Sequence, residues 1–240
     1  MKQGASTWLT AVPLVDLGFV LHKRAFTDAL CLRYGWPLKN TPSTCVCGSH
    51  VDPDHALICR RGGYLSLRHE LRDLTADLLR EVCHDVTVEP ELQPVTGESL
   101  PGAANKDDHA RIDVRARGFW DNRQQEAFFD VRVFHPFASS YGNLDMAKIY
   151  SQHERKKKAE YGERILQIER GSFTPLPFST TGGMGREATI FYRRLAAMIS
   201  QKRDEPYSHT LGWLRCQLGF CFSVCVSCAS GVAEEQTIER

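Results

Sequence analysis

The sequence predicts a mixed α/β fold of the α+β kind, with a small central sheet flanked by helices and preceded by a Cys/His module. Three observations predict it. A strong amphipathic helix pattern begins near residue 67, two strand-like runs lie at 111–116 and 127–134, and a Cys/His cluster lies at 45–63. Over residues 64–205 the order is helix, strand, strand, strand, helix, strand, helix.

The composition bounds the class of protein. The chain has 240 residues, 42% hydrophobic and 25% charged, which suits one medium globular domain with a small additional module. The formal net charge of +1 gives no overall attraction to nucleic acid, so any such binding must come from local clusters of charge. Nine cysteines, an odd number at uneven spacing, argue against a secreted disulfide framework and favour a reducing compartment.

Membrane segments are not predicted. The first residues lack the long apolar core of a signal peptide. The stretch 216–232 lies in a Cys-rich tail, residues 206–240, and is interrupted by Gly and Ser, which makes it a poor membrane candidate. We therefore expect a protein that is neither secreted nor bound to a membrane.

Two helical patterns occupy the amino-terminal half. A modest one spans 18–34 within an amino-terminal helical segment, residues 1–40. The stronger one repeats apolar residues three and four positions apart: Leu67, Leu71, Leu74, Leu78 and Val82. An extended segment at 86–90 and a Pro/Gly/Asn-rich loop at 94–108 follow.

The two strand-like runs each carry an aspartate. In 111–116 the alternation places Asp113 on the face opposite Ile112 and Val114. In 127–134 the second face carries Phe128, Asp130, Arg132 and Phe134. We expect both aspartates in mid-strand, on the polar face of the sheet.

The carboxy-terminal half begins with a charged helix predicted over 144–168. One stripe of this helix recurs every four residues and is apolar at both ends, so we expect it to face the sheet: Ile149, His153, Lys157, Tyr161 and Ile165. A short strand follows at 173–178, where Pro175 and Pro177 require an edge or a bulge.

A Gly-rich loop at 180–185 leads into a last helix with an apolar stripe from Ala188 to Ile199. Backbone N–H groups at the start of a helix can bind phosphate, although this loop lacks the P-loop spacing. The loop is either a plain connection to the helix or a contact to a nucleic-acid backbone.

The Cys/His cluster has the pattern C-x-C-x7-H-x3-C, formed by Cys45, Cys47, His55 and Cys59. Thiolates and imidazole are the ligands that tetrahedral zinc prefers. A segment this short cannot form a hydrophobic core unless a metal ion or another cross-link holds it together. Gly48 lets the backbone turn around the metal, and His50 is a possible substitute ligand. The alternative interpretation is three unrelated thiols and a surface histidine.

A second candidate site is the pair Asp113 and Asp130. A charge in a strand meant for burial is costly unless it is paired or binds a metal. On adjacent antiparallel strands the two carboxylates would converge and bind Mg²⁺, a hard cation, with Arg132 on the same side to hold a phosphate. The alternative is a set of cross-strand ion pairs, Asp113 with Arg132 or Asp130 with Arg115.

These motifs together resemble the carboxy-terminal region of non-LTR retrotransposon proteins, in which a Cys-Cys-His-Cys knuckle precedes a restriction-like PD-(D/E)XK endonuclease. The residues that carry the resemblance read CVCG and DHALIC, then RHELRD, then R-I-D at Asp113 and FFDVR at Asp130. It covers roughly residues 5–213. It implies a restriction-endonuclease-like sheet over 64–205 that nicks target DNA, and a nuclear protein, or one shared between nucleus and cytoplasm.

The sequence departs from the family motif at Arg132, which stands where the motif has lysine. Arginine stays protonated and cannot act as a base, so Lys157 is a candidate for the displaced lysine. The alternative is that Lys156, Lys157 and Lys158 form a basic face that touches DNA or nothing. Glu70 is a weaker candidate for a third carboxylate than for an exposed helix residue.

Three functions stay open at this point. The first is an endonuclease with structural Zn²⁺ and catalytic Mg²⁺, acting on DNA and using no small-molecule cofactor. The second is an inactive zinc-containing module that binds DNA or RNA. The third is a truncated relic, because the sequence has no segment resembling a reverse transcriptase.

Overall fold

The computed structural model describes residues 9, 19–21, 23–34, 36–37, 43–44, 47–50, 55, 59, 63–93, 110–120 and 124–229. Within these residues the helices are α1 (Lys23–Tyr34), α2 (Gly63–Val82), α3 (Met146–Lys157), α4 (Arg186–Arg203) and α5 (Tyr207–Ala229). The strands are β1 (His84–Val88), β2 (Val114–Arg117), β3 (Glu126–Phe134) and β4 (Ser172–Ser179). The predicted class, a mixed α/β fold with a small sheet flanked by helices, is confirmed.

The four strands form one sheet in the order β1-β2-β3-β4. The pairs β1–β2 and β2–β3 are antiparallel, and β3–β4 is parallel. Parallel neighbours need a long crossover, which α3 supplies between β3 and β4. Pro175 and Pro177 lack an N–H to donate, and β4 lies at the edge of the sheet as predicted.

The sheet is buried on both faces. On one face, Phe129, Val131 and Val133 of β3 form the main core with α2, α4 and α5. On the other, Phe128 and Phe134 lie in two smaller clusters that include Ile165 and Ile149 from the α3 side. The prediction that one face is polar is therefore wrong, because α3 covers the face that carries Asp130.

The charged helix predicted over 144–168 is found as α3, with Asp145 capping its first turn through the N–H of Ala147. It continues as π-helical turns at Lys158–Gly162 and Ile165–Glu169. Tyr161 is half-buried, and its ring centroid lies 5.9 Å from that of Phe173 on β4. The stripe faces the sheet as expected.

Two elements differ from the sequence-based expectation. The strand expected over 111–116 begins only at Val114, so Asp113 precedes β2 instead of lying in its middle. The tail contains the helix α5, whose Leu214 and Leu218 join the main core. The ring of Phe220 in α5 stacks on Phe19 at 5.1 Å, which ties the amino-terminal part of the chain to this helix.

Candidate functional site

Asp130 lies in the middle of β3, on the face covered by α3. Its side chain is 3% exposed because Phe128, Phe134 and α3 surround that face. Its nearest cation is Lys157, whose Nζ lies 3.3 Å from Oδ1 and 3.2 Å from Oδ2. Oδ2 is fully buried and makes no hydrogen bond in addition to that ion-pair contact, so its capacity as an acceptor is not fully used.

Asp113 lies where β2 and β3 stop pairing. The last pair in that direction is Val114 with Phe129, so Asp113 stands at the next step, beside Asp130. Its Oδ2 accepts a 2.7 Å hydrogen bond from the backbone N–H of Val131. The carboxylate thus accepts a hydrogen bond from β3 at the point where β3 no longer pairs with β2.

Arg68 on α2 completes this arrangement. Its Nη2 donates to Asp113 Oδ1 at 2.5 Å, and its Nε donates to the Val131 carbonyl at 3.2 Å. Together, Asp113 and Arg68 satisfy both backbone polar groups of Val131. The guanidinium therefore fixes the carboxylate in place as well as balancing its charge.

Electrostatics at the pair favours binding of a further positive charge. Burial, and then the neighbouring charge of Asp130, raise the pKa of Asp113 to about 7, although Arg68 and the Val131 N–H oppose the shift. Burial also raises the pKa of Asp130, against the lowering effects of Lys157 and Arg68. The ammonium of Lys157 and the guanidinium of Arg68 therefore do not fully offset the cost of burying two carboxylates in their charged form.

The residues fit a Mg²⁺ ion by the chemistry of their donors. Mg²⁺ takes oxygen ligands and commonly uses one or two carboxylates, with water and phosphate oxygens completing its shell. Oδ2 of Asp130 makes no hydrogen bond beyond its ion-pair contact with Lys157, and Asp113 keeps a second lone pair on each oxygen. Asp113 and Asp130 would hold the ion.

Lys157 has further contacts that hold it at the site. Its Nζ lies 3.4 Å from Glu160 and 4.9 Å from the centroid of the Tyr161 ring. Its side chain is 17% exposed, and that of Arg68 is 32% exposed. A phosphate that approaches the carboxylates from solvent would therefore contact Lys157 and Arg68.

Arg132 is placed differently from the other candidates. It is half-buried, and its charge helps to lower the pKa of His153, behind burial as the main cause. The cations that act most strongly on the two aspartates are Lys157 and Arg68. The ion pairs on the aspartates are thus not those proposed from the strand pattern, and Arg115 contacts Thr87 and Glu126.

Arg68 begins the RHELRD string, but no role was predicted for it from the sequence, because it is one polar residue among many on α2. Its role depends on a contact 45 positions further along the chain. Glu70, which the sequence offered as a weaker candidate, is exposed on the same helix.

The Cys/His cluster is compact in the described residues. Cys47 Sγ lies 3.3 Å from His55 Nε2, and the ligand atoms of Cys47, His55 and Cys59 all lie within 4.8 Å of one another. The Cys59 N–H donates to the His55 carbonyl at 2.8 Å, which puts these two one helical turn apart. This group can hold a metal ion. Cys45 lies outside the described residues.

Two other features of the predicted module can be located. Gly48 has a φ of 88°, a left-handed turn that suits glycine. His50 is exposed and does not belong to the three-residue group.

The first turn of α4 already contacts a carboxylate of the same chain, that of Glu154. Glu154 Oε1 accepts a 2.9 Å hydrogen bond from the Glu187 N–H, where the Gly-rich loop meets the helix. Gly185 permits this approach, because a Cβ there would lie 2.6 Å from Glu154 Oε1. The backbone N–H that was a candidate for binding phosphate is therefore occupied by Glu154.

In comparison with known proteins, the chain matches no protein-family model, and no curated protein matches it. Within the described residues, none of the helices combines the length and the apolar character that crossing a bilayer requires.

Proposed function

We propose that this chain is a Mg²⁺-dependent DNA endonuclease of the restriction-like type, derived from a non-LTR retrotransposon protein. The observation that carries the proposal is the buried pair Asp113 and Asp130 on neighbouring strands, with Lys157 in contact with the second carboxylate. A small mixed sheet flanked by helices is also what the resemblance implies. The proposed partner is target DNA, and the proposed location is the nucleus, or the nucleus and the cytoplasm.

The reaction is hydrolysis of a phosphodiester. Water adds to phosphorus while the bond from phosphorus to the 3′ oxygen breaks, which leaves a 3′ hydroxyl and a 5′ phosphate. A bound Mg²⁺ supplies charge stabilisation for the phosphoryl group and a more acidic water. Lys157 is placed to stabilise the negative charge that grows on the phosphate oxygens, and Arg68 keeps Asp113 oriented.

Plasmid nicking tests this proposal. Asp113→Asn and Asp130→Asn should each lower the nicking rate by about 100-fold or more, because charge stabilisation by a metal is worth several kcal/mol. Asp77→Asn is the matched control, since the Asp77 carboxylate is 70% exposed on α2 and pairs with Arg80. Nicking by Asp130→Asn at the control rate would remove these residues from the mechanism.

A second function is favoured by the same ion pairs. Both aspartates are 2% exposed and already hold a cation, which would also suit a fold that binds nucleic acid without cutting it. Wild-type protein that binds DNA, yet fails to nick it with Mg²⁺ or Mn²⁺, would establish this inactive module.

The Cys/His cluster is proposed as a structural zinc site, with Cys45 as the fourth ligand. Ligand atoms in a tetrahedral zinc site are about 3.5–3.8 Å apart, and the 3.3 Å separation between Cys47 Sγ and His55 Nε2 is close to that. We expect about one zinc per chain by elemental analysis. Cys59→Ser should weaken zinc retention about 10-fold or more, because one of four ligands is replaced by a hydroxyl.

Cys221→Ser is the control for zinc retention. Cys221 is a half-buried thiol of α5, outside the cluster. Equal zinc content in Cys59→Ser and Cys221→Ser after dialysis against a chelator would contradict the assignment.

A further inference from the structure

A second site lies on the other side of α3 from the carboxylate pair. A cavity of about 700 Å³ opens between α3, the loop before α4, α4 itself and α5. Small-molecule sites commonly have about 300–1,000 Å³, so the cavity is large enough for a ligand of nucleotide size. A phosphate ion alone would leave most of this volume empty.

The charge around the cavity is strongly positive. Five basic side chains line it, against two acidic ones, whereas the whole chain has a net charge of only +1. Both acidic groups already have partners: Glu154 accepts from the Glu187 N–H, and Glu187 pairs with Lys158 at 2.7 Å. The remaining charge around the cavity favours an anionic ligand.

Two of the basic side chains are available for a ligand. Arg186 and Arg193 are exposed, and among the described residues neither has a hydrogen-bond or ion-pair partner. Both project from α4, where they lie seven positions apart and thus on nearly the same face. A guanidinium can hold a phosphate with two parallel hydrogen bonds.

The floor of the cavity is apolar. Met184 and Phe222 are half-buried and form its accessible apolar surface. Phe178 and Leu218 support them from the main core, with 5.9 Å between the ring centroids of Phe178 and Phe222. Stacking on apolar and aromatic surface accepts any base, because every base has a π face. A cationic rim over an apolar floor therefore suits a phosphate joined to a planar base.

We infer that this cavity binds an unpaired nucleotide of single-stranded DNA, with its phosphate on Arg186 and Arg193 and its base on the apolar floor. The choice of a DNA strand as the source rests on the proposed function. Lys157 contacts Asp130, and its neighbour Lys158 lines the cavity, so the two sites lie on either side of one helix. A strand released at the carboxylates would reach the cavity across α3.

The test measures binding of a fluorescent 12-nucleotide single strand by the full chain, in buffer without added Mg²⁺. The double variant Arg186→Ala/Arg193→Ala should bind about 10-fold more weakly than wild type. Its slope of log affinity against log salt should fall by about 0.7, the value for one lost phosphate contact in a single strand. Arg80→Ala is the matched control, an exposed arginine of α2 outside the cavity.

Two further arms identify the ligand. Thymidine monophosphate that competes with the strand in wild type, but not in the double variant, would place one nucleotide in the cavity. Inorganic phosphate that competes equally well would overturn the nucleotide assignment, since no base would be needed. Equal affinity of the double variant and Arg80→Ala for the strand would overturn the site itself.

Failure of this inference is separable from failure of the proposed function. The binding assay needs no cleavage, and plasmid nicking does not depend on the two arginines being correctly assigned. Circular dichroism should show the double variant folded like wild type, because neither side chain has a partner to lose among the described residues.

Discussion

Replacing Lys157 with methionine is expected to abolish Mg²⁺-dependent nicking and to lower the free energy of unfolding by about 3 kcal/mol at pH 8. The substitution keeps an unbranched side chain of similar length and removes the ammonium. It leaves Asp130, whose side chain is 3% exposed, without the cation that lies 3.2 Å from its Oδ2. A buried carboxylate without a counter-charge is far less stable than a paired one.

The loss of stability should shrink as the pH is lowered. Burial already raises the pKa of Asp130, and Lys157 is the largest influence that lowers it. Without Lys157 the pKa of Asp130 rises further above its value of 3.8 in the unfolded chain. Folding of the variant is then helped by a bound proton at low pH, and this help is lost as the pH rises through the raised pKa.

A double variant separates stability from activity. Asp130→Asn in the Lys157→Met background removes the unpaired charge, so it should recover much of the lost stability without recovering nicking. Urea unfolding at pH 5 and pH 8 measures the first effect, and plasmid nicking measures the second. Lys156→Met, at an exposed neighbouring position, is the control. Destabilisation of the double variant equal to the sum of the single variants would show that the two side chains do not interact.

The sequence was sufficient to predict that Lys157 can reach the strand that carries Asp130, because the signals for both residues are local. Asp130 interrupts an apolar alternation, and Lys157 lies between Ile149 and Ile165 on a stripe with apolar ends. Both patterns have the periodicity of a single element, so they can be interpreted without the tertiary structure. Burial of Ile149 and Ile165 fixes the direction in which Lys157 points.

Other parts of the fold have no local signal. Arg68 is one of several polar residues on α2 and is distinguished only by its contacts with Asp113 and Val131. The end of pairing between β2 and β3 is likewise a tertiary feature, which is why Asp113 was expected in mid-strand. Phe119 follows a turn yet is fully buried, with its ring stacked at 4.7 Å on that of Phe191.

The helix α5 was not predicted because the amino-acid composition of its segment does not favour a helix. Gly, Ser and Cys are common in Tyr207–Ala229, and all three are weaker helix formers than Ala or Leu. Its stability comes from packing, since Leu214 and Leu218 are buried in the main core. A helix stabilised mainly by tertiary contacts is difficult to predict from helix propensity and hydrophobic periodicity.

The affinity for Mg²⁺ is expected to increase about 10-fold between pH 6 and pH 8. The pKa of Asp113 is raised to about 7, first by burial and then by the charge of Asp130. Below that pH the pair holds a proton that must leave before the ion can bind, and metal binding is weakened in proportion. Calorimetric titration in two buffers of different ionisation enthalpy should detect release of about one proton per ion at pH 6.

Glu160→Gln provides a matched variant for this linkage. The Glu160 carboxylate lies 3.4 Å from Lys157 Nζ, and its charge raises the pKa of Asp130. Removing that charge should lower the pKa of Asp130, so Mg²⁺ binding at pH 6 should strengthen and the profile should move to lower pH. The variant should change little at pH 8, above the value of about 7 to which the pKa of Asp113 is raised. Mg²⁺ affinity that is the same at pH 6 and pH 8 would mean that no proton is displaced. The ion would then bind elsewhere, because two buried carboxylates cannot share a site near neutral pH without one of them competing for a proton.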